Sequence, residues 1–252
     1  MKTAMITGAT SGIGEATARR LGALGYRLII TGRRSHRLEQ VKRSIEAEYA
    51  VEVLALSFDV RERDAVERTL GSLSEEWTNI DVLVNNAGLA AGLEHIDEGD
   101  PDDWDRMIDT NVKGLLYVTR QVAPLMVARH TGHIINIGSI AGRETYENGA
   151  VYCASKHAVN ALSQGMRIDL LKHGIKVSQI RPGMVNTEFS TVRFHGDRER
   201  ADAVYTGVTP LTGDDIARVI EWLVSLPPHM NINDIEVMPS RQADAFYTWR
   251  DE

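Results

Sequence analysis

Short apolar runs rich in β-branched residues alternate along the whole chain with longer stretches whose apolar positions recur three or four apart. The runs are TAMIT (3–7), RLIIT (27–31), VEVLALSF (51–58), DVLV (81–84), HIINIG (133–138), KVSQIR (176–181) and DIEVM (234–238). They are apolar at successive positions more than at alternate ones. That pattern expects strands buried on both faces, and so a parallel sheet covered by helices. The stretches between them, such as 34–49 and 152–173, carry the helical period. Strand–helix alternation kept up over 252 residues reads as one doubly wound α/β domain, 1–252, with a seven-stranded parallel sheet and helices on both faces. No Pro- or Ser-rich linker, internal repeat or low-complexity tract divides it. The rhythm breaks once, over about 183–211, where a long irregular segment follows a strand. Such segments in compact domains are lids or binding loops, and this one is expected to hold substrate.

Composition narrows the setting. An apolar fraction of 43% supports a sizeable core. The single cysteine, Cys153, excludes an internal disulfide framework and fits a reducing cytoplasm. It reads as a packed helix residue rather than a nucleophile. No run approaches the ~18 apolar residues of a membrane span, and the apolar part of the N-terminus is too short for a signal peptide. The net charge of −7 argues against a nucleic-acid partner.

The first strand ends in ITGATSGIGE (6–15), followed by a helix-like run. This strand–turn–helix setting suits a phosphate held by the free N–H groups of a helix N-terminus. Gly8 would permit the tight turn, Gly12 close approach of a pyrophosphate, and Gly14 close packing of helix on strand. Thr10, Ser11 and Ile13 lie in the same turn. The ending lacks the G-K-[ST] of a P-loop, which argues against nucleotide hydrolysis. After the second strand the chain reads IITGRRSHR (29–37), with no carboxylate at the strand end. An acid there would take a ribose 2′-OH, whereas Arg33 and Arg34 offer planar forks to a 2′-phosphate. The expected cofactor is therefore NADP(H), in a Rossmann arrangement. Arg37 reads as a solvated charge at a helix start.

Tyr152 and Lys156 stand four apart in VYCASKHAV (151–159), on one face of a helical pattern. Bringing a phenol from pKa ~10 to ~7 needs about 4 kcal/mol, which one nearby ammonium can supply in partly screened surroundings. Lys156, helped by the positive nicotinamide of an oxidised cofactor, is the expected source. Ser139 follows a strand in INIGSIAG (135–142), where its hydroxyl would donate to a carbonyl as negative charge develops there. A serine in that position is equally a turn or helix cap. Asn85, Asn86 and Gly88 end the fourth strand in an amide-rich turn at the same edge. Asn111 lies within a helical stretch, where an asparagine needs a job for its side chain. No metal-ligand spacing occurs among the eight histidines.

Taken in order, T-G-x-x-x-G-I-G (7–14), NNAG (85–88), Asn111, Ser139, Tyr152-x-x-x-Lys156 and Pro182–Gly183 resemble the short-chain dehydrogenase/reductase family over nearly the whole chain. Within it the likeness is greatest to the bacterial NADP-dependent 3-hydroxy acid dehydrogenases. Those act on serine, allo-threonine and 3-hydroxypropionate, and reduce malonic semialdehyde. The closer likeness rests on TGRR (31–34), WTNIDVLVNNAGLA (77–90), MIDTN (107–111), GHIINIGS (132–139), TEFSTVRFHGD (187–197) and LPPHMNIN (226–233). The resemblance implies Tyr152 as general acid/base and Lys156 as its electrostatic partner and ribose ligand. It implies Ser139 as the carbonyl donor and Asn111 as anchor of a proton-relay water. Asp59 and Val60 would meet the adenine, Asn86 and Gly88 the cofactor ribose, and Pro182, Gly183 and Val185 to Thr187 the nicotinamide carboxamide.

A small anionic hydroxy or oxo substrate needs a cation. Arg193, in STVRFHGD (190–197), is the first candidate, and Arg143, in SIAGRETY (139–146), the second. Bidentate arginine suits a carboxylate and a sulfonate alike, so sulfoacetaldehyde reductases, which resemble this subgroup, stay open. GRETYENG (142–149) departs from the small and aromatic residues usual there. A non-catalytic NADP-sensing module is a further alternative, disfavoured by the presence of Asn111, Ser139, Tyr152 and Lys156 together. The tail, 240–252, carries Phe246, Tyr247 and Trp249. Aromatics at a terminus suggest docking, and the resemblance implies a cytoplasmic homotetramer whose tails reach a neighbour.

Overall fold

The computed structural model describes residues 1–251; Glu252, the last residue of the expected tail, lies outside the described residues. The strands are β1 (Thr3–Ile6), β2 (Arg27–Gly32), β3 (Val53–Ser57), β4 (Ile80–Asn85), β5 (Gly132–Ile137), β6 (Ile175–Pro182), the two-residue β7 (Val185–Asn186) and β8 (Leu211–Thr212), and β9 (Asp234–Val237). The helices are α1 (Gly12–Ala23), α2 (Ser35–Tyr49), α3 (Arg63–Gly71), α4 (Pro101–Ile108), α5 (Leu115–Arg129), α6 (Ala150–Leu170), α7 (Glu188–Arg193), α8 (Arg198–Ala203) and α9 (Gly213–Ser225). Seven strands form one parallel sheet in the order β3-β2-β1-β4-β5-β6-β9. None of the described helices is long and apolar enough to cross a membrane.

Both faces of the sheet are apolar because successive strand residues are. In β1, Ala4 and Ile6 pack with Leu21, Ile45, Ile216 and Ile220 of α1, α2 and α9. Met5, between them, joins Val66, Val118, Val122 and Met126 of α3 and α5. Residues one apart thus serve opposite layers, as the period-2 geometry of a strand requires. Such an order reverses direction between β1 and β4, and doubly wound sheets bind ligands at that reversal, beyond the carboxyl ends of the strands. The β1–α1 glycine turn and the β4 amide turn lie on either side of it.

The expected strands agree with the sheet to within a residue or two. The segment 183–211 differs from the irregular loop expected there. It contains the β7–β8 pair and two short helices, each started by a side-chain cap. Thr187 accepts from the Phe189 N–H at 3.2 Å, and Asp197 from the Arg200 N–H at 3.1 Å. Caps of this kind satisfy N–H groups that a helix start leaves unpaired.

Candidate active site

A cleft of about 690 Å³ runs along the carboxyl edge of the sheet, walled by the β1–α1 turn, the ends of β2, β4, β5 and β6, helix α7 and the C-terminal tail. Gly8 and Gly12 adopt φ of +66° and +56°, a left-handed conformation that glycine enters without strain. Gly14 lies off the cleft: a Cβ there would strike the Gly8 carbonyl oxygen and the Asn86 amide, so its role is the close packing of α1 on β1. No side chain caps the start of α1, which leaves its first N–H groups and dipole turned to the cleft where a pyrophosphate would sit. The Asn86 amide clamps the turn by donating to the carbonyls of Thr7 at 2.8 Å and Gly8 at 3.1 Å.

Arg33 and Arg34 line the cleft beyond β2, together with Asp59 and Val60. Arg33 lies 3.7 Å from Asp59. The Asp59 carboxyl itself accepts from the Arg61 guanidinium at 2.7 Å and from the Arg61 N–H at 3.0 Å. Arg34 reaches across to Thr10, Ser11 and Glu188. Two guanidiniums, an uncapped helix start and a glycine turn form a donor set that fits the two phosphate ends of NADP. Arg37 pairs loosely with Glu15 at 3.8 Å and does not line the cleft.

The chemical centre lies at the ends of β5 and α6. Tyr152 and Lys156 sit one turn apart on α6 and are both buried, with the Lys156 ammonium 5.9 Å from the phenol ring centroid. Ser139 caps the short turn after β5 by accepting from the Ala141 N–H at 3.1 Å. Capping uses a lone pair and leaves the hydroxyl proton to donate, so the turn role and the expected chemical role coexist. The Ser139 hydroxyl also favours the Tyr152 phenolate. Burial acts against it more strongly, and the Tyr146 hydroxyl adds to burial, so the phenol is pushed above its ordinary range. Burial likewise lowers Lys156 to about 8. In the protein without cofactor the neutral phenol of Tyr152 is therefore favoured, while the lowering expected from Lys156 together with the positive nicotinamide belongs to the cofactor complex. Desolvation of the charged form is the physical reason that the neutral phenol is favoured. Lys156 donates one proton to the Ile137 carbonyl at 3.0 Å, leaving two for other partners.

Asn111 occupies a widened turn, Asp109–Gly114, between α4 and α5; π-type turns of this kind recur at functional sites. Its amide donates to the Leu89 carbonyl and to Ser155 Oγ at 2.8 and 3.0 Å and accepts from the Leu89 N–H at 2.8 Å. Both side-chain donors are engaged, so the job found for this asparagine is to pin the chain after β4 against α6. Ser155 in turn donates to the Tyr152 carbonyl at 2.7 Å. Gly88 lies where a Cβ would press on Asn111 and Lys156. Asn85 does not face the cleft; it is buried in a network with Thr119 and Asn136.

The two candidate substrate cations part company. Arg193 lies in the cleft, its guanidinium 5.4 Å from the Tyr152 ring centroid and donating to the Tyr146 hydroxyl at 2.7 Å. Arg143 does not line the cleft: it is exposed and paired with Glu236 at 3.1 Å. The acid that neutralises Arg143 comes from β9, whose proximity no local sequence pattern announced. Pro182, Gly183 and Val185 line the far wall. The Gly183 N–H donates to the Val237 carbonyl at 2.8 Å, and Thr187 starts α7 beside Gly12.

Three lining elements escaped the sequence reading. Tyr146 orients Arg193, and Phe189 meets the Tyr152 ring edge-on at 5.6 Å. The tail folds onto its own chain: Gln242 accepts from the Met184 N–H at 2.8 Å, Ala245 donates to Glu144 at 2.8 Å, and Arg250 donates to the Thr206 carbonyl. Aromatics in GRETYENG and in the TEFS start of α7 were the available signals. Cys153 is buried on α6, as a packed helix residue.

Residues 2–197 match the short chain dehydrogenase family. The NADP-dependent 3-hydroxy acid dehydrogenase YdfG of Salmonella typhi is 49% identical over 96% of both chains. The sulfoacetaldehyde reductase of Chromohalobacter salexigens is 45% identical over 94% of both. Among solved structures, a closed form of serine dehydrogenase complexed with NADP+ superposes with a TM-score of 0.92 at 45% identity, covering 99% of this chain and 100% of that one. A cleft with a phosphate-ready helix start at one end and a buried Ser–Tyr–Lys group at the other, on this sheet and at this level of likeness, leaves one conclusion: the chain is a member of the short-chain dehydrogenase family of oxidoreductases.

Proposed function

We propose that this oxidoreductase interconverts a short 3-hydroxy acid and its 3-oxo acid or semialdehyde, with NADP(H) as the hydride carrier. The observation that carries the reading is Arg193, a guanidinium held inside the cleft within 5.4 Å of the Tyr152 ring. A carboxylate on that arginine leaves only a few ångströms to the phenol, which restricts the reacting carbon to one close to the acid group. The names of the YdfG and serine dehydrogenase relatives support the same substrate class and the cofactor.

Bound NADP(H) supplies the hydride acceptor and donor, and every proton is handled by the chain. In reduction, Ser139 donates to the carbonyl oxygen and the neutral Tyr152 phenol gives it a proton. In oxidation, the phenolate takes the hydroxyl proton, and Lys156 stabilises the charge. Arg33 and Arg34 hold the 2′-phosphate, the start of α1 the pyrophosphate, and Asn111 keeps the wall opposite α6 in place. The enzyme is read as a cytoplasmic homotetramer, a reading supported by the exposed Phe246, Tyr247 and Trp249 of the tail as a docking surface.

A second reading, sulfoacetaldehyde reduction, is supported by the reductase relative, since Arg193 would grip a sulfonate as well. Initial rates with serine, allo-threonine, 3-hydroxypropionate and isethionate, each with NADP and NAD, separate the two. Turnover of the hydroxy acids with NADP is expected; turnover of isethionate alone, or faster reaction with NAD, would overturn the reading.

A further inference from the structure

Helix α7 begins and ends at functional groups. Its first residue, Glu188, accepts from Arg34 Nη2 at 2.8 Å. Its last, Arg193, lies against Tyr152 and Tyr146. Between them Phe189 packs on the Tyr152 ring. A helix of six residues spans about 9 Å, so the two groups lie at opposite ends of one short element.

The Arg34 end is over-subscribed. Nη2 carries two hydrogens but has three acceptors within reach: Thr10 Oγ1 at 2.8 Å, Ser11 Oγ at 2.9 Å and Glu188 Oε2 at 2.8 Å. All four residues line the cleft. The Arg34 guanidinium, with help from Ser11, holds the Glu188 carboxyl below its usual range, so it is ionised at neutral pH. The acid missing from the end of β2 has thus been replaced by one 154 positions away in sequence.

We propose that Glu188 competes with the cofactor's 2′-phosphate for Arg34, and that displacing it frees the start of α7 so that phosphate binding is felt at Arg193. The proposal rests on the reading of Arg33 and Arg34 as the 2′-phosphate site. A phosphate near neutrality carries between one and two negative charges. Beside Arg34 it repels an ionised carboxylate at hydrogen-bond distance from the same nitrogen. Glu188 must then withdraw, and Phe189 and Arg193 move with it relative to Tyr152. A cofactor without the phosphate leaves the Arg34–Glu188 pair closed. Glu188 is in this sense a positioning residue: it makes the substrate end of the cleft respond to which dinucleotide is bound.

Adenosine 2′,5′-bisphosphate and 5′-AMP, which differ only in the 2′-phosphate, are the probes. Titration calorimetry on the wild-type protein and Glu188→Gln is expected to show the bisphosphate bound roughly two- to five-fold more tightly by the variant, the range of a half-exposed ion pair, and 5′-AMP bound equally. Amide hydrogen exchange over 188–193 is expected to quicken in the wild type with the bisphosphate but not with 5′-AMP, and to be fast in Glu188→Gln without ligand. Equal bisphosphate affinity in the two proteins, or exchange that responds alike to both nucleotides, would overturn the proposal. A wild-type protein that binds the two probes equally would instead overturn the 2′-phosphate site itself, and the proposal with it.

Discussion

The guanidinium of Arg193 stands 5.4 Å from the centroid of the Tyr152 ring, while that of Arg143 is turned outside the cleft and paired with Glu236. Both had the charge an anion needs; only one shares a cavity with the phenol. Arg143→Ala is expected to leave the KM for a hydroxy acid within about two-fold of wild type, because an exposed pair contributes little. Initial-rate kinetics over a substrate series would show it, and a ten-fold rise in KM would place Arg143 in the site after all.

In the proposed reaction Tyr152 moves the proton to and from the substrate oxygen. Tyr152→Phe is expected to lower kcat by roughly 10³-fold or more, in line with losses on removing a general acid–base, with NADPH affinity unchanged. Rapid-mixing kinetics and a fluorescence titration of NADPH provide the two readouts. A variant that turns over at a near-normal rate would remove the phenol from the mechanism.

Arg34→Ala removes one of the two cations that the proposed function assigns to the 2′-phosphate. NADP affinity is expected to fall roughly 10- to 100-fold, the worth of a charge-assisted arginine–phosphate contact, while NAD affinity is unchanged. Raising ionic strength should narrow the difference, since the site is open to solvent. Equal losses for both dinucleotides would mean that Arg34 supports the fold of the turn rather than reading the phosphate.

His133 adds a pH dependence of stability. It is buried on β5, with Nε2 2.8 Å from Ser178 Oγ, and burial, with Lys176 nearby, lowers it from 6.5 to about 3. The unfolded chain takes up a proton below 6.5 that the folded chain refuses until about 3. The stability of the neutral, buried form is therefore full above pH 6.5 and is lost as pH falls, by at most about 1.4 kcal/mol per pH unit in that window. Denaturant titrations at intervals from pH 7 to 4 are expected to give a shallower decline for His133→Gln than for wild type. Identical slopes would show that His133 is protonated or released before unfolding.

The layers and the cofactor end were legible because their causes are local. Consecutive apolar residues such as Ala4, Met5 and Ile6 announce a strand buried on both faces, and Gly8, Gly12 and Gly14 occupy positions whose backbone or packing admits little else. Tyr152 and Lys156 are joined by their spacing on one helix face, whereas Ser139, thirteen positions before the tyrosine, could be tied to them only through the resemblance. What stayed hidden depends on distant chain meeting the cleft. Glu188 reaches Arg34, Tyr146 reaches Arg193, Glu236 takes Arg143 away, and the tail returns to Met184 and Thr206. How completely Tyr152 and Lys156 are buried was hidden in the same way, since the sequence shows only their spacing.

In the proposed reaction Arg193 holds the acid group of a substrate whose hydroxyl carbon faces Tyr152. The decisive measurement is kcat/KM with NADP for 3-hydroxypropionate and for its neutral analogue, 3-hydroxypropionamide, in wild type and Arg193→Ala. The wild type is expected to favour the acid by roughly 10- to 100-fold, the worth of one charge-assisted arginine–carboxylate contact. Arg193→Ala is expected to lose that preference while reacting with the amide at a rate close to wild type. A variant that still favours the acid to the same degree would show that Arg193 does not hold the acid group.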